Sequence, residues 1–191
     1  FAASSAAQVQ PAELLHLAEP SFGERRMGSI YATPLTIGVF VTPDGAAANG
    51  VLVAHGGGSF GYSLYLAEGR PCFAIRDRGS LFAIHSPGAL PAGSESHLAV
   101  TLAADGVLQL FLGGALVATG PGRVLGLHPQ EGFAIGRDPG DPVGEYSAPN
   151  PLSGQLRELR VRKGERDARR IPGSALKRRT VCDGRFVGAS P

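Results

Sequence analysis

"VLVAHGGGSFGYSLYLAEGRPCFAIR", residues 51–76, decides how the chain folds. Its second half closes into a hairpin. Glu68-Gly69 forms a two-residue turn if Ala67 faces Arg70. Leu66 then meets Pro71, Leu64 meets Phe73 and Tyr62 meets Ile75. One face is apolar throughout, while Tyr65, Ser63 and Ala74 point the other way. Before it, Val51 to His55 reads as another strand. Gly56 to Phe60 is the connection, with glycines that permit positive φ and close backbone approach.

The same stretch carries two strings of a different kind. His55-Gly56-Gly57-Gly58 matches an HGGG oxyanion loop, and Gly57-Gly58-Ser59-Phe60-Gly61 matches a G-x-S-x-G nucleophile elbow. An elbow needs a strand, the serine, then a helix. After Ser59 comes "FGYSLYLAEG", which is strand text ending in a turn. In hydrolases the two motifs belong to separate loops that converge in space, so one short segment cannot supply both. With 28 glycines in 191 residues the match is unsurprising, and Ser59 reads as a turn residue rather than a nucleophile.

Outward from this stretch the pattern repeats. The 28 Gly and 15 Pro punctuate short apolar runs, which favours strands over long helices. Apolar residues make up 43% and charged residues 18%, enough to build a packed core. In "HLAVTLAADGVLQLFL" an Ala104-Asp105-Gly106 turn pairs Leu102 with Leu108, Val100 with Leu110 and Leu98 with Leu112. It places Gly106 where a left-handed residue is needed. Gly113-Gly114 then turns the chain so that Leu112 meets Ala115 and Leu110 meets Val117. With further runs at 35–42, 50–55, 61–67, 71–76, 81–85, 132–136 and 155–162, the total is about ten strands, too many for one open twisted sheet. The expected fold is an all-β, two-sheet antiparallel jelly-roll sandwich over 28–162, with an N-terminal extension at 1–27 and a C-terminal extension at 163–191.

Charge separates the last part from the rest. Through Gln155 there are 7 basic and 12 acidic residues, net −5; from Leu156 onward there are 11 and 4, net +7. The basic segment lacks aromatics for base stacking, so no nucleic-acid partner is expected. No run of roughly 18 apolar residues occurs, so no transmembrane helix is expected, and no signal peptide is read at Phe1. Cys72 and Cys182 fit no zinc or redox spacing. An exported protein would permit one bridge between them; two unpaired thiols are the preferred reading.

The ordered pieces "GVLVAHGGGSFGYSLYLAEGRPCFAI", "HLAVTLAADGVLQLFLGGALVATG", "GFAIGRD" and "LSGQLRELRV" resemble the laminin-G-like, concanavalin A-like jelly-roll family. They are similar to the modules that follow bacterial sulfatase domains. The tryptophan often found before the central strand is absent; "SESHLAV" keeps only His97. The resemblance implies a secreted or periplasmic, non-catalytic recognition module for a glycan or protein, within a larger sulfatase-like polypeptide. The alternative is a structural subunit that packs in a larger complex through its sandwich face and basic tail. Oligomeric state is left open.

The candidate ligand residues are Tyr65, Arg76, Arg78 and His55, placed from strand geometry at one face or rim, where they offer stacking and hydrogen bonds. For His55, as for His97, a polar side chain at a sheet rim is the blander and preferred reading. "GRDPGDPVGEY", residues 136–146, is the best metal or ligand loop: Asp138, Asp141 and Glu145 with loop carbonyls offer hard oxygens for Ca2+, as some laminin-G-like modules do at a sandwich rim. An ordinary Asp-Pro turn region with solvated carboxylates is preferred. No paired carboxylates on one strand and no His-Glu-x-x-His string support an enzyme.

Overall fold

A computed structural model of the chain describes residues 32–164 and the two short strands Val181–Cys182 and Arg185–Phe186. Ten strands build the body: β1 (Leu35–Pro43), β2 (Gly50–Gly56), β3 (Phe60–Ala67), β4 (Arg70–Asp77), β5 (Ser80–His85), β6 (Ser96–Leu102), β7 (Val107–Leu112), β8 (Ala115–Pro121), β9 (Phe133–Ile135) and β10 (Gly154–Lys163). They form two five-stranded antiparallel sheets, ordered β10-β1-β6-β7-β8 and β5-β4-β3-β2-β9. The described residues contain no helix. This is the expected all-β sandwich. The N-terminal extension at 1–27 and most of the C-terminal one lie outside the described residues.

Side-chain alternation explains the two layers. Leu35, Ile37, Val39 and Val41 of β1 and Leu98, Val100 and Leu102 of β6 face Leu64, Leu66, Phe73 and Ile75 of the other sheet in one buried cluster. Each strand contributes every second residue, as a pleated ribbon dictates. The expected turns hold. Glu68 and Gly69 take positive φ, 50° and 76°, and set Ala67 opposite Arg70 and Leu64 opposite Phe73. Gly106 (φ 88°) sets Leu102 opposite Leu108 and Leu98 opposite Leu112.

One register differs. Leu112 pairs with Ala115 as expected, but Leu110 pairs with Ala118 rather than Val117, because the register shifts between Leu110 and Phe111. The extra residue is a β-bulge. It brings Ala118 inward and sets Leu116 opposite Phe111, leaving Leu116 44% exposed.

Candidate functional site

The outer face of the β5-β4-β3-β2 sheet is organised in three cross-strand rows. Val51, Tyr65, Cys72 and His85 form the first; Ala54, Ser63, Ala74 and Ala83 the second; Gly56, Gly61, Arg76 and Leu81 the third. A face of a sandwich sheet that points away from the core ordinarily meets water. Here Val51, Ala54, Tyr65, Cys72 and Ala74 are buried, and Val143 and Tyr146 pack against them.

The cover is the connection between β9 and β10, residues 136–153. Tyr65 and Tyr146 meet edge to face with ring centroids 4.8 Å apart. The Glu145 N–H donates to the Tyr65 hydroxyl at 3.2 Å. Arg76 Nε donates to the Val143 carbonyl at 2.8 Å and its Nη1 to the Gly79 carbonyl at 3.1 Å. The Tyr146 hydroxyl donates to Asp138 Oδ2 at 2.6 Å and lies 3.0 Å from Ser63 Oγ. Close approach explains two glycines. A Cβ on Gly144 would lie 2.5 Å from a Tyr65 ring carbon, and one on Gly61 would lie 2.6 Å from the His55 carbonyl and 2.8 Å from Val143. Burial pushes the Tyr65 hydroxyl up to about 12, and burial followed by the bond to Asp138 raises Tyr146. Both phenols are therefore neutral donors and acceptors at physiological pH.

Toward β5 the face opens. Leu81 and Ala83 are half-buried, and His85 lies at the end of the strand with its side chain 48% exposed. Arg76 stands at one end of this strip. At the other, His85 Nε2 lies 3.6 Å from Glu145 Oε2, and His85 Nδ1 lies 3.1 Å from Cys72 Sγ. Cys72 is a free, buried thiol, pushed up to about 11 by burial.

Four of the residues singled out from sequence meet here: Tyr65, Arg76, Asp138 and Glu145. Tyr65 is only 1% exposed and acts as a support beneath the loop. Arg78 is exposed in the β4–β5 turn, where it takes φ 52° beside Gly79. His55 is elsewhere, because it pairs with Tyr62 and not Tyr65, and so points between the sheets. Its ring contacts Tyr62, Phe133 and His128 with centroids 5.6, 5.9 and 5.5 Å away. Burial, with nearby His128, pushes it down to about 4.

The calcium set does not assemble. Asp138 is 2% exposed, with one oxygen taken by Tyr146 and the other accepting the Gly140 N–H at 3.3 Å. Glu145 turns to His85. Asp141 is an exposed residue whose N–H donates to Glu131 Oε2 at 3.0 Å. Among the described residues no group of three His, Cys, Asp or Glu side chains is placed to hold a metal ion. Calcium requires six to eight oxygens, and these carboxylates do not converge.

The site contains residues that the sequence did not single out: Ser63, Cys72, His85, Val143 and Tyr146. The β4–β5 turn held the signal for two of them. With Arg78-Gly79 as a two-residue turn, Cys72 falls opposite His85 by the same counting that sets Ala67 opposite Arg70. Nothing local marks Tyr146, which reaches Ser63 across a separation of 83 residues.

Ser59 sits exposed in the turn between β2 and β3, with strand on both sides. No curated protein matches this sequence. The Laminin_G_3 family model, described as the concanavalin A-like lectin/glucanases superfamily, matches residues 24–171. Among solved structures, domains LG4-5 of the mouse laminin alpha1 chain superpose with a TM-score of 0.58 at 16% identity, over 82% of this chain and 42% of that one. Domain 4 of an extracellular arabinanase from Geobacillus stearothermophilus, in complex with arabinotriose, gives 0.55 at 17% identity, over 73% and 63%. The sialidase module CBM40 of Ruminococcus gnavus, bound to alpha2,3 sialyllactose, gives 0.51 at 16%, over 69% and 76%. The chain thus spans less than two thirds of the laminin and arabinanase structures. The ordered strands, the two-sheet topology and the family match together place this chain in the concanavalin A-like lectin/glucanases superfamily.

Proposed function

We propose that this chain is a non-catalytic recognition module that binds an extracytoplasmic glycan. The binding surface is the open strip on the outer face of the β5-β4-β3-β2 sheet. The carrying observation is the locked half of that face: the 136–153 loop is fixed by part-buried hydrogen bonds that involve Tyr65, Arg76 and Tyr146. The free half beside it is therefore preorganised. A preorganised surface loses less conformational entropy when a ligand docks.

Leu81 and Ala83 give the strip an apolar floor, suited to the C–H face of a sugar ring. Arg76, at the end of β4, and Arg78, in the β4–β5 turn that follows, supply donors for hydroxyl or carboxylate groups. Two structurally similar modules are named with bound oligosaccharides, arabinotriose and sialyllactose, which favours a glycan over a protein. A position within a larger, sulfatase-like, secreted bacterial polypeptide fits this reading.

The test is a glycan microarray followed by titration calorimetry on the best binder. Arg78→Ala is expected to weaken binding about tenfold, close to 1.4 kcal/mol, with the unfolding midpoint unchanged. Arg76→Ala should weaken binding further, because it also frees the Val143 carbonyl. Array binding that neither variant alters would place the ligand elsewhere.

A further inference from the structure

The β4–β5 turn meets the β8–β9 connection at the rim of the sandwich, past the Arg76 end of the open strip. Asp77 joins the two. It follows Arg76 on β4, so it faces away from the strip, and it is 2% exposed. Its Oδ1 accepts the Gly126 N–H at 2.7 Å. Its Oδ2 lies 3.7 Å from Nη1 of Arg123, on the same connection. Between those two residues, Val124 and Leu125 pack into the core, and the Leu125 carbonyl accepts the Ala32 N–H at 2.8 Å. The backbone that carries Arg123 is therefore pinned.

Two guanidinium groups flank this carboxylate–amide pair. The Arg123 side chain is 62% exposed and stands over the Phe82 ring, 5.9 Å from its centroid. Arg78 is exposed, and a Cβ on Gly126 would lie 3.7 Å from its Nε and 3.8 Å from its Nη2. Among the described residues no hydrogen bond or ion pair engages the Arg78 guanidinium. Arg76 is committed elsewhere, with Nε and Nη1 on the Val143 and Gly79 carbonyls.

We propose that Arg78 and Arg123 form a receptor at the sandwich rim for one anionic group, a carboxylate or a sulfate ester. This rests on the glycan-binding reading and makes the ligand an acidic saccharide. Two cations stand around one carboxylate that is buried and shared with an amide, so the solvent side of the cluster is positive. A guanidinium presents parallel N–H donors that match two oxygens of one anion, whereas a hydroxyl takes a single bond. Arg123 is already steadied by an ion pair and a ring, so it loses less freedom when an anion docks. Asp141, an exposed acid beside Gly58 on the β2–β3 side, repels an anion from that flank and leaves the approach over the β8–β9 connection. Leu81 lies just past the turn on β5, so a sugar ring seated on the apolar floor carries its acidic substituent to the rim.

The test follows arginine Nε–Hε resonances of the full chain by NMR, in mildly acid buffer. Sodium glucuronate or sodium sulfate replaces sodium chloride at constant ionic strength. Arg78 and Arg123 should shift together and saturate with one dissociation constant. Arg123→Ala should weaken the binding seen at Arg78 about tenfold, and Arg123→Lys should restore only part of it, because an ammonium lacks the fork. Both variants should keep the wild-type circular dichroism spectrum. Saturation by glucuronate alone assigns a carboxylate, and by sulfate alone a sulfate ester; either supports the receptor. Shifts that rise without saturating, or binding at Arg78 that Arg123→Ala leaves unchanged, would overturn it. The titration and the glycan array fail separately. A saturating response with a silent array keeps the anion receptor and removes the glycan reading. A neutral glycan held on the strip, with no anion response, overturns the receptor alone.

Discussion

Gly56, Gly57 and Gly58 have identical side chains and unequal reasons to be glycine. Gly56 takes φ 84°, and a Cβ there would lie 2.1 Å from the Phe60 carbonyl oxygen. At Gly57 the obstacle is Glu131, a side chain that can move, and at Gly58 the nearest atom is 3.8 Å away. Alanine at 56 should therefore cost about 2 kcal/mol or more, since both backbone strain and a backbone clash oppose it. Alanine at 57 should cost less, and at 58 within about 0.5 kcal/mol of nothing. Urea unfolding of the three variants checks the order; an equal loss at all three would contradict a turn and suit a demand on the whole tripeptide. His55 makes a second prediction. Its folded value, about 4, lies below the ordinary 6.5. Above 6.5 both folded and unfolded states are neutral. As pH falls from 6.5 to 4 the unfolded chain takes up a proton that the folded one refuses, so stability drops by up to about 1.4 kcal/mol per pH unit. Below 4 this contribution stops changing. His55→Phe should flatten that slope, read as denaturation midpoints at pH 7 and pH 5. It also removes Nδ1, a buried atom with no hydrogen-bond partner among the described residues.

Hairpins were the most legible elements, because a turn type and an apolar face jointly fix register. The Glu68-Gly69 and Ala104-Asp105-Gly106 turns yielded their pairings from residues 61–76 and 97–112 alone. The Leu110–Ala118 pairing was hidden, since a bulge adds a residue without changing the alternation of apolar types. The site was less legible than the fold. Tyr65 and Arg76 follow from strand geometry, but Tyr65 reads as an exposed stacking platform until a loop from 80 residues away covers it. His55 carried the opposite error: the bulge between Val51 and Val53 reverses which face its side chain takes. Arg78 offers a prediction at this scale. It occupies the first position of a two-residue turn at φ 52°, where Asn, Asp or Gly is ordinarily preferred. Arg78→Asn should raise stability by about 0.5 kcal/mol while weakening ligand binding. Thermal denaturation and calorimetry on one preparation test both halves, and a stability loss would show that the arginine is structural.

At the scale of the molecule, the sheets are assembled from distant segments. β1 pairs with β10, and β2 with β9. The connection from β9 to β10 leaves one sheet, crosses its outer face, and enters the other. The surface proposed to bind ligand is thus fixed by the same segment that joins the two layers. A further consequence lies where the sandwich begins and ends. The Gly164 N–H donates to the Pro34 carbonyl at 2.8 Å, so the polypeptide enters and leaves this body side by side. Such a body behaves as a cassette. It can be spliced into an exposed loop of another domain without prising that loop apart, and its own order can be rewired. A circular permutant that joins Gly164 to Ala32 through a short Gly/Ser linker and opens between the exposed Gly88 and Ala89 should keep the parental far-UV spectrum and a single cooperative unfolding transition. Architecturally, the fold is a plug with one stem, and the outer face of its β5-β4-β3-β2 sheet is left clear of that stem's two chain ends, which belong to the neighbourhood of β1 and β10 in the other sheet.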